Sequence, residues 1–346
     1  MALNSALYAT QLRREIAARN RIYARERPHV ESYGDDPVIV YLPDLGLHGN
    51  FFDPAYEAMV ARPDWFRRLN KVHAQCRALP KSEPGRKWRE LDSCMSSDAL
   101  LMNIFCTPGV ADSPAVQRRL GVEAGAYVES LPAFGWKARV PLNSGRFDRT
   151  EVDMRWGDLL VEAKLTETGF QTRKAEIVEA YRDFDEVFDR DRLPRVLVRT
   201  ARRRTAMEFP EEFTQEWEEG GEDADAIART YQGEVVARAD RPEHYEGSYA
   251  HYQLIRNVLA AHAHRCNFCV LHDERRPDLQ EAWFQVMAAV RSAELRVRLK
   301  VFTWQELAAV LPEPLSAFLD AKYGVLSASA RHSGHSRAKP VHAGHE

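Results

Sequence analysis

The segment EVDMRWGDLLVEAK, residues 151–164, alternates apolar and polar side chains and carries four carboxylates. A period of two indicates β-strands, and Gly157-Asp158 suits a two-residue turn, because glycine at the first central position fits a type II′ turn. The segment therefore predicts a β-hairpin with one wholly apolar face. On that face Val152, Met154 and Trp156 lie opposite Ala163, Val161 and Leu159.

The other face of the predicted hairpin is charged. Asp153 falls directly opposite Glu162, with their Cβ atoms roughly 5 Å apart. Like charges repel at this distance, but a divalent cation between them makes the arrangement favourable. Mg²⁺ is the natural candidate, because it takes oxygen ligands and is often held by one or two carboxylates with waters and phosphate. Lys164, on the same face, could offset charge on a phosphate or orient an attacking water.

These side chains suit metal-assisted hydrolysis of a phosphodiester. The alternative is a structural hairpin whose second face is merely solvated. In that case Glu151 and Lys164 form an ordinary cross-strand ion pair, since structural ion pairs are common.

Composition is that of an ordinary globular protein: 346 residues, 45% hydrophobic, 29% charged, with a formal net charge of −3. No uninterrupted apolar run predicts a signal peptide or a membrane span, and five cysteines in a long chain favour reduced thiols. We therefore expect a cytoplasmic protein with no membrane partner. Nucleic acid would have to bind a local basic patch, although a solvated surface is the favoured interpretation of each candidate. The candidates are Arg202–Arg204 and the group Arg291, Arg296, Arg298 and Lys300.

Helical patterns dominate residues 1–112, which we expect to pack on the core as a mainly helical region. Helices and strands alternate over 113–326, which predicts an α/β core with a mixed sheet flanked by helices. Within it, residues 173–188 are expected to form one helix and 295–302 one strand. An acidic insertion is predicted at 208–245, and a disordered, histidine-containing tail at 327–346.

Asp153, eight intervening residues and then Glu162-Ala163-Lys164 resemble the PD-(D/E)xK nuclease signature, although Val152 stands in place of its proline. The helix, hairpin and following helix resemble the α-β-β-β-α-β core of that superfamily. SSDALLMNIFC (96–106) and YQLIRN (252–257) are similar to its PGN_0703-like restriction endonuclease-type branch. The resemblance covers about residues 95–310 and implies a restriction-endonuclease-like core with a helical N-terminal elaboration.

The resemblance also implies a metal site. Asp153 and Glu162 would be metal ligands, the Ala163 carbonyl a third, and Lys164 the catalytic lysine. The implied cofactor is Mg²⁺, with Mn²⁺ as a substitute.

Members of the superfamily often add a glutamate from the helix before the sheet. Glu123 is our choice and Glu129 the second choice, with an exposed helical glutamate as the alternative interpretation. Gln253 resembles a glutamine that some members place beside the site, and Arg256 or Asn257 could contact phosphate. Alternatively, this helix serves only as a packing element of the core.

The sequence thus predicts a Mg²⁺-dependent nuclease whose partner is nucleic acid. The more specific prediction is an endonuclease that cuts DNA. A homodimer is compatible with this prediction. One alternative is a non-catalytic nucleic-acid-binding protein that retains the nuclease fold. Another is a protein with no nucleic-acid role, which would have no basic rim around the carboxylates.

Overall fold

The computed structural model describes residues 2–32, 36–72, 89–122, 131–199 and 245–326. The helices in these ranges are α1 Ala2–Tyr23, α2 Asp53–Ala61, α3 Pro63–Leu69, α4 Ser97–Phe105, α5 Pro114–Leu120, α6 Ala175–Val178, α7 Phe184–Val187, α8 Tyr252–Ala263, α9 Pro277–Ala289, α10 Ala293–Val297, α11 Trp304–Ala308 and α12 Glu313–Tyr323. The strands are β1 His29–Glu31, β2 Ile39–Tyr41, β3 Pro43–Asp44, β4 Leu47–His48, β5 Ala133–Lys137, β6 Val140–Pro141, β7 Phe147–Asp148, β8 Glu151–Trp156, β9 Leu159–Ala163, β10 Arg173–Lys174, β11 Arg195–Arg199, β12 Tyr245–Tyr249, β13 Asn267–His272 and β14 Leu299–Thr303.

A mixed sheet with the strand order β14-β13-β9-β8-β5 forms the centre of the fold. β5 and β9 each run antiparallel to β8, whereas β13 is parallel to both β9 and β14. A parallel neighbour requires a long crossover, and α8 lies within the connection from β9 to β13. The predicted mixed α/β architecture is therefore confirmed.

The hairpin that joins β8 to β9 has the predicted register at the three pairs nearest the turn, whereas the expected pairing of Asp153 with Glu162 lies beyond the backbone ladder. Met154 pairs with Val161 and Trp156 with Leu159, across the two-residue turn. Gly157 has a φ of 59° and Asp158 is not among the residues with positive φ, which is the combination of a type II′ turn. Glycine is required here because other residues rarely adopt that φ.

Apolar clusters cover both faces of the central sheet. On one face Met154, Val161 and Leu271 pack with side chains of α1, α4 and α12. On the other, Leu160, Phe268 and Val270 pack with α8 and α9. The alternative of a merely solvated second hairpin face is wrong, because α8 covers that face and both Leu160 and Glu162 are buried. Val152 also departs from the prediction, since it joins the cluster of Leu160.

Two segments differ from their predicted form. Residues 173–188 contain β10 and two short helices, because Tyr181 pairs with Leu142 and the Arg182 N–H donates to the Pro141 carbonyl at 3.0 Å. Residues 295–302 begin as α10 and become a strand only at Leu299. Ser292 starts that helix by accepting a hydrogen bond from the Leu295 N–H at 3.1 Å.

Several predicted features lie outside the described residues. They are Arg202–Arg204, the acidic insertion up to residue 244, the tail at 327–346, and both Glu123 and Glu129. Among the helices that are described, none is long and apolar enough to cross a membrane.

Candidate active site

The three residues of the predicted signature meet at the end of β9. Lys164 Nζ lies 2.9 Å from Glu162 Oε1. The Ala163 N–H donates to Asp153 Oδ2 at 2.7 Å. The backbone pairing of β8 with β9 extends only from Trp156–Leu159 to Met154–Val161. Beyond that point the Asp153 side chain, and not the backbone of β8, accepts the hydrogen bond of the Ala163 N–H. The hairpin thus places the Asp153 carboxylate beside the backbone that carries Glu162 and Lys164.

Gly135 on β5 allows a further charged side chain to approach this region. The pairing of β5 with β8 passes from Phe134–Met154 to Trp136–Val152 and leaves out Gly135, whose φ is 63°. A Cβ atom at Gly135 would lie 2.8 Å from Arg68 Nη1. Only glycine leaves room for that guanidinium.

The charge of Asp153 is unfavourable in the protein alone. Burial raises the pKa of Asp153 well above its usual range, and the carboxylates of Glu162 and Asp98 raise it further. Lys164 and the Ala163 N–H oppose these effects without cancelling them. Because the site holds more negative charge than its own cations neutralise, it is suited to an added cation.

Lys164 is a buried cation. Burial alone would lower its pKa, but the carboxylates of Glu162, Glu167 and Asp153 raise it above the usual value. Its side chain is 7% exposed, and Nζ lies 5.7 Å from the centroid of the Phe170 ring. Lys164 therefore remains protonated at neutral pH and is suited to stabilise negative charge, not to remove a proton.

Helix α8 fixes the orientation of Glu162. Asn257 is fully buried and donates from Nδ2 to Glu162 Oε2 at 2.7 Å. Arg256, also buried, donates to Asn257 Oδ1 at 2.9 Å and to the Glu151 carbonyl at 2.9 Å. Since both side chains form these bonds inside the protein, they position the carboxylate, which differs from the phosphate contact that the resemblance implied.

Gln253 lies one helical turn before Asn257, so the two share a face of α8. Its Oε1 is buried and accepts no hydrogen bond from the part of the chain that the structure describes. An acceptor of this kind is available to a water or a substrate. The assignment of Gln253 to the site stays a prediction that this placement supports.

A third carboxylate comes from the N-terminus of α4. Ser96 caps this helix by accepting from the Ala99 N–H, and Ser97 Oγ donates to Glu167 Oε1 at 2.6 Å. Asp98 is buried, which raises its pKa although Arg68 forms an ion pair with it. Arg68 also contacts Glu151 Oε2 at 2.8 Å.

Asp98 was missed by the sequence reasoning. Glu123 was chosen as an acid from a helix before the sheet; Asp98 lies on α4, which precedes the sheet, and its charge raises the pKa of Asp153. The prediction for Glu123 stays untested, because that residue lies outside the described ranges. The available signal was an acidic residue in the first turn of a well-capped helix, in SSDALL.

The alternative of a Glu151–Lys164 ion pair is wrong. Glu151 pairs with Arg68 and, at 3.4 Å, with Lys71. Burial would raise its pKa, but these two cations lower it. Lys164 instead pairs with Glu162.

Among the described residues, no group of three or more His, Cys, Asp or Glu side chains is arranged to hold a metal ion. Two carboxylates are nevertheless a sufficient protein contribution for Mg²⁺, which commonly completes its coordination with waters and phosphate. Asp153 and Glu162 fit that requirement, because their crowding leaves uncompensated negative charge.

A family model described as Restriction Endonuclease associating with ARP matches residues 17–324. No curated protein and no solved structure matches the chain. The family match confirms the resemblance to restriction endonucleases, under a description different from that of the PGN_0703-like branch.

Proposed function

Because the chain belongs to the family of restriction endonucleases described as associating with ARP, we propose that it is a Mg²⁺-dependent endonuclease that hydrolyses phosphodiester bonds of DNA. The observation that carries this proposal is the convergence of Asp153, Glu162 and Lys164. The contacts of 2.7 Å from the Ala163 N–H to Asp153 and 2.9 Å from Lys164 to Glu162 gather them at one point. A wholly structural hairpin gives no reason to bury this much charge of one sign.

The order of elements supports a restriction-endonuclease-like core. α5 precedes the antiparallel strands β5, β8 and β9, and α8 then leads into β13, which is parallel to β9. This is the α-β-β-β-α-β succession of PD-(D/E)xK nucleases, with short additional elements between its members.

Asp153 and Glu162 would hold the ion, with the Ala163 carbonyl as a further oxygen ligand. Bound Mg²⁺ would supply Lewis acidity at the phosphate and lower the pKa of a coordinated water. Asp98 adds negative charge near Asp153, which favours binding of a cation there.

The protein's own groups have separate tasks. Lys164 is protonated and lies against Glu162, so it can stabilise charge that develops on the phosphate oxygens. Asn257, held by Arg256, fixes the Glu162 carboxylate. Gln253 has a free Oε1 with which to accept a hydrogen bond from the attacking water and so orient it.

Metal titration by calorimetry, run beside a cleavage assay, tests the proposal. Asp153→Asn should weaken Mg²⁺ binding, since it removes one of few anionic ligands. Lys164→Ala should bind Mg²⁺ as tightly as the parent or more so, because it removes a nearby positive charge. Both changes should abolish cleavage. Ca²⁺ should support DNA binding with little cutting, because its coordination is looser.

A non-catalytic DNA-binding protein is the alternative. It would bind DNA with equal affinity in all three forms and would cut in none. A Lys164→Ala protein that cuts as fast as the parent would contradict the assigned role of the lysine.

A further inference from the structure

A small β-hairpin leads directly into the strand that carries Asp153. β6 pairs with β7, and residues 142–146 connect them. Four basic side chains on or beside this hairpin are exposed, and none has an acidic partner within ion-pair distance among the described residues. They are Lys137, Arg139, Arg146 and Arg149.

Some other exposed arginines of the protein have an acidic partner; Arg14, for example, pairs with Asp36 at 3.1 Å. The acidic residue of the hairpin itself, Asp148, is already engaged. It accepts hydrogen bonds from Tyr181 Oη at 2.6 Å and from the Thr150 N–H at 2.8 Å. The hairpin therefore presents uncompensated positive charge on a chain whose net charge is −3.

The hairpin is firmly attached to the rest of the protein. The Asn143 N–H donates to the Ala180 carbonyl at 2.8 Å, on the segment that also pairs through Tyr181. Tyr181 Oη shares a hydrogen bond of 2.8 Å with Tyr252 Oη at the start of α8. The same helix holds Glu162 through Asn257. Helix α8 thus supports both the basic hairpin and the carboxylate site.

One of the arginines is held in a defined position. Arg139 has a φ of 50°, a left-handed conformation that non-glycine residues seldom adopt and that clusters at binding sites. Its guanidinium lies 5.1 Å from the ring centroid of Phe147, which is itself 46% exposed. A guanidinium already oriented on the surface loses less entropy when it binds an anion.

The hairpin projects from the end of the sheet that carries the carboxylates. Lys137 on β5 pairs with Glu151 on β8, so the connection between them starts where β8 begins and β9 ends. Arg149 precedes Asp153 by four positions, about 13 Å along an extended strand. With a rise of 3.4 Å per base on one DNA strand, this spacing corresponds to about four nucleotides.

We propose that the β6–β7 hairpin binds backbone phosphates of duplex DNA a few nucleotides from the bond to be cut, through Arg139, Arg146 and Arg149 together with Lys137. The inference rests on the proposed nuclease function for the identity of its partner. Guanidinium groups match phosphate oxygens in pairs, and such contacts position a duplex without reading its sequence. The hairpin would hold the substrate while the carboxylate site acts on it.

The test compares the full-length parent with the variant Arg139→Gln/Arg146→Gln/Arg149→Gln. Binding of a short fluorescein-labelled DNA duplex is measured by anisotropy in Ca²⁺ over a range of salt concentrations. Each lost phosphate contact should lower the slope of log K against log salt by about 0.9, so the triple variant should lose about 2.7. Its affinity at physiological salt should fall at least about tenfold.

The matched control is Arg14→Gln/Arg21→Gln/Arg192→Gln, which removes the same charge from exposed arginines that have acidic partners. It should keep the parent's slope. Equal weakening by both triple variants would overturn the proposal, because it would reflect net charge alone. A loss seen only with an RNA duplex would overturn it as well.

Cleavage of the same duplex in Mg²⁺ separates the two proposals. A parent that cuts, with a hairpin variant that retains the parent's slope, overturns the hairpin proposal and leaves the nuclease intact. A reduced slope in the hairpin variant of a protein that never cuts supports the hairpin proposal and contradicts the nuclease.

Discussion

Asp153→Asn should make the metal-free protein more stable while it abolishes cleavage. Burial raises the pKa of Asp153 in the folded state, and Glu162 and Asp98 add to that effect. The unfolded value is near 3.9. As pH rises above about 4, the unfolded chain releases this proton first, so the free energy of unfolding decreases until the folded-state pKa is passed. Over this range of pH the penalty lowers the stability of the parent, and the neutral variant bears none.

The repulsion between Asp153 and Glu162 sets the size of the gain. Two unit charges about 5–6 Å apart repel by about 3 kcal/mol at an effective dielectric constant of about 20. Lys164, 2.9 Å from Glu162, offsets part of this repulsion. An asparagine can still accept the Ala163 N–H through its amide oxygen. The remaining gain is about 1–2 kcal/mol, which raises Tm by about 2–5 °C.

Thermal unfolding at neutral pH, with EDTA and with Mg²⁺, measures this difference. Mg²⁺ should raise the Tm of the parent and leave that of the variant nearly unchanged. The control Asp64→Asn removes a carboxylate that is 87% exposed, and should change stability by less than about 0.5 kcal/mol. A lower Tm for Asp153→Asn than for the parent in EDTA would refute the reasoning, because the carboxylate would then stabilise the fold.

Two further changes test the surroundings of the site. Asn257→Ala removes one buried hydrogen-bond partner from each of Glu162 and Arg256, and should lower the free energy of unfolding in urea by about 2–3 kcal/mol and reduce cleavage; the exposed Asn70→Ala should do neither. Burial lowers the pKa of His272, so the unfolded chain takes up a proton first as pH falls below about 6.5 and stability is lost. The His272→Asn variant should lose less of its free energy of unfolding than the parent between about pH 7 and 5. An identical dependence of stability on pH in the two proteins would show that His272 is not the group responsible.

The hairpin could be predicted because its determinants are local. Alternation with period two, and a glycine where φ must be positive, fix the register of the three pairs nearest the turn. The spacing of two residues from Glu162 to Lys164 follows from the same strand.

Tertiary contacts could not be predicted from these patterns. Leu160 lies on the charged face of the predicted hairpin, but it is fully buried because α8, far along the chain, covers it. Asp98 enters the site from an upstream helix through Arg68, whose approach depends on the absence of a side chain at Gly135. No periodic pattern in the sequence predicts a contact of this kind between elements that are distant along the chain.

Composition alone also did not locate the exposed basic side chains that lack an acidic partner among the described residues. In the group around Lys300, the side chains bind backbone carbonyls within the protein. Lys300 donates to the Leu120 carbonyl at 3.1 Å, and Arg298 to the Cys266 carbonyl at 3.3 Å. Four exposed cations that have no acidic partner among the described residues are instead spaced along residues 137–149, where no run of like charge marks them.

The most direct test of the proposed endonuclease activity is cleavage of supercoiled plasmid and linear DNA by the purified protein. The parent and the control Lys300→Ala should both nick or linearise the plasmid in Mg²⁺ and do nothing in EDTA. Lys164→Ala, checked for folding by its thermal transition and for metal binding by calorimetry, should leave the DNA intact. Cutting by Lys164→Ala at the parent's rate, or a folded parent that binds Mg²⁺ and DNA yet cuts neither substrate, would contradict the account.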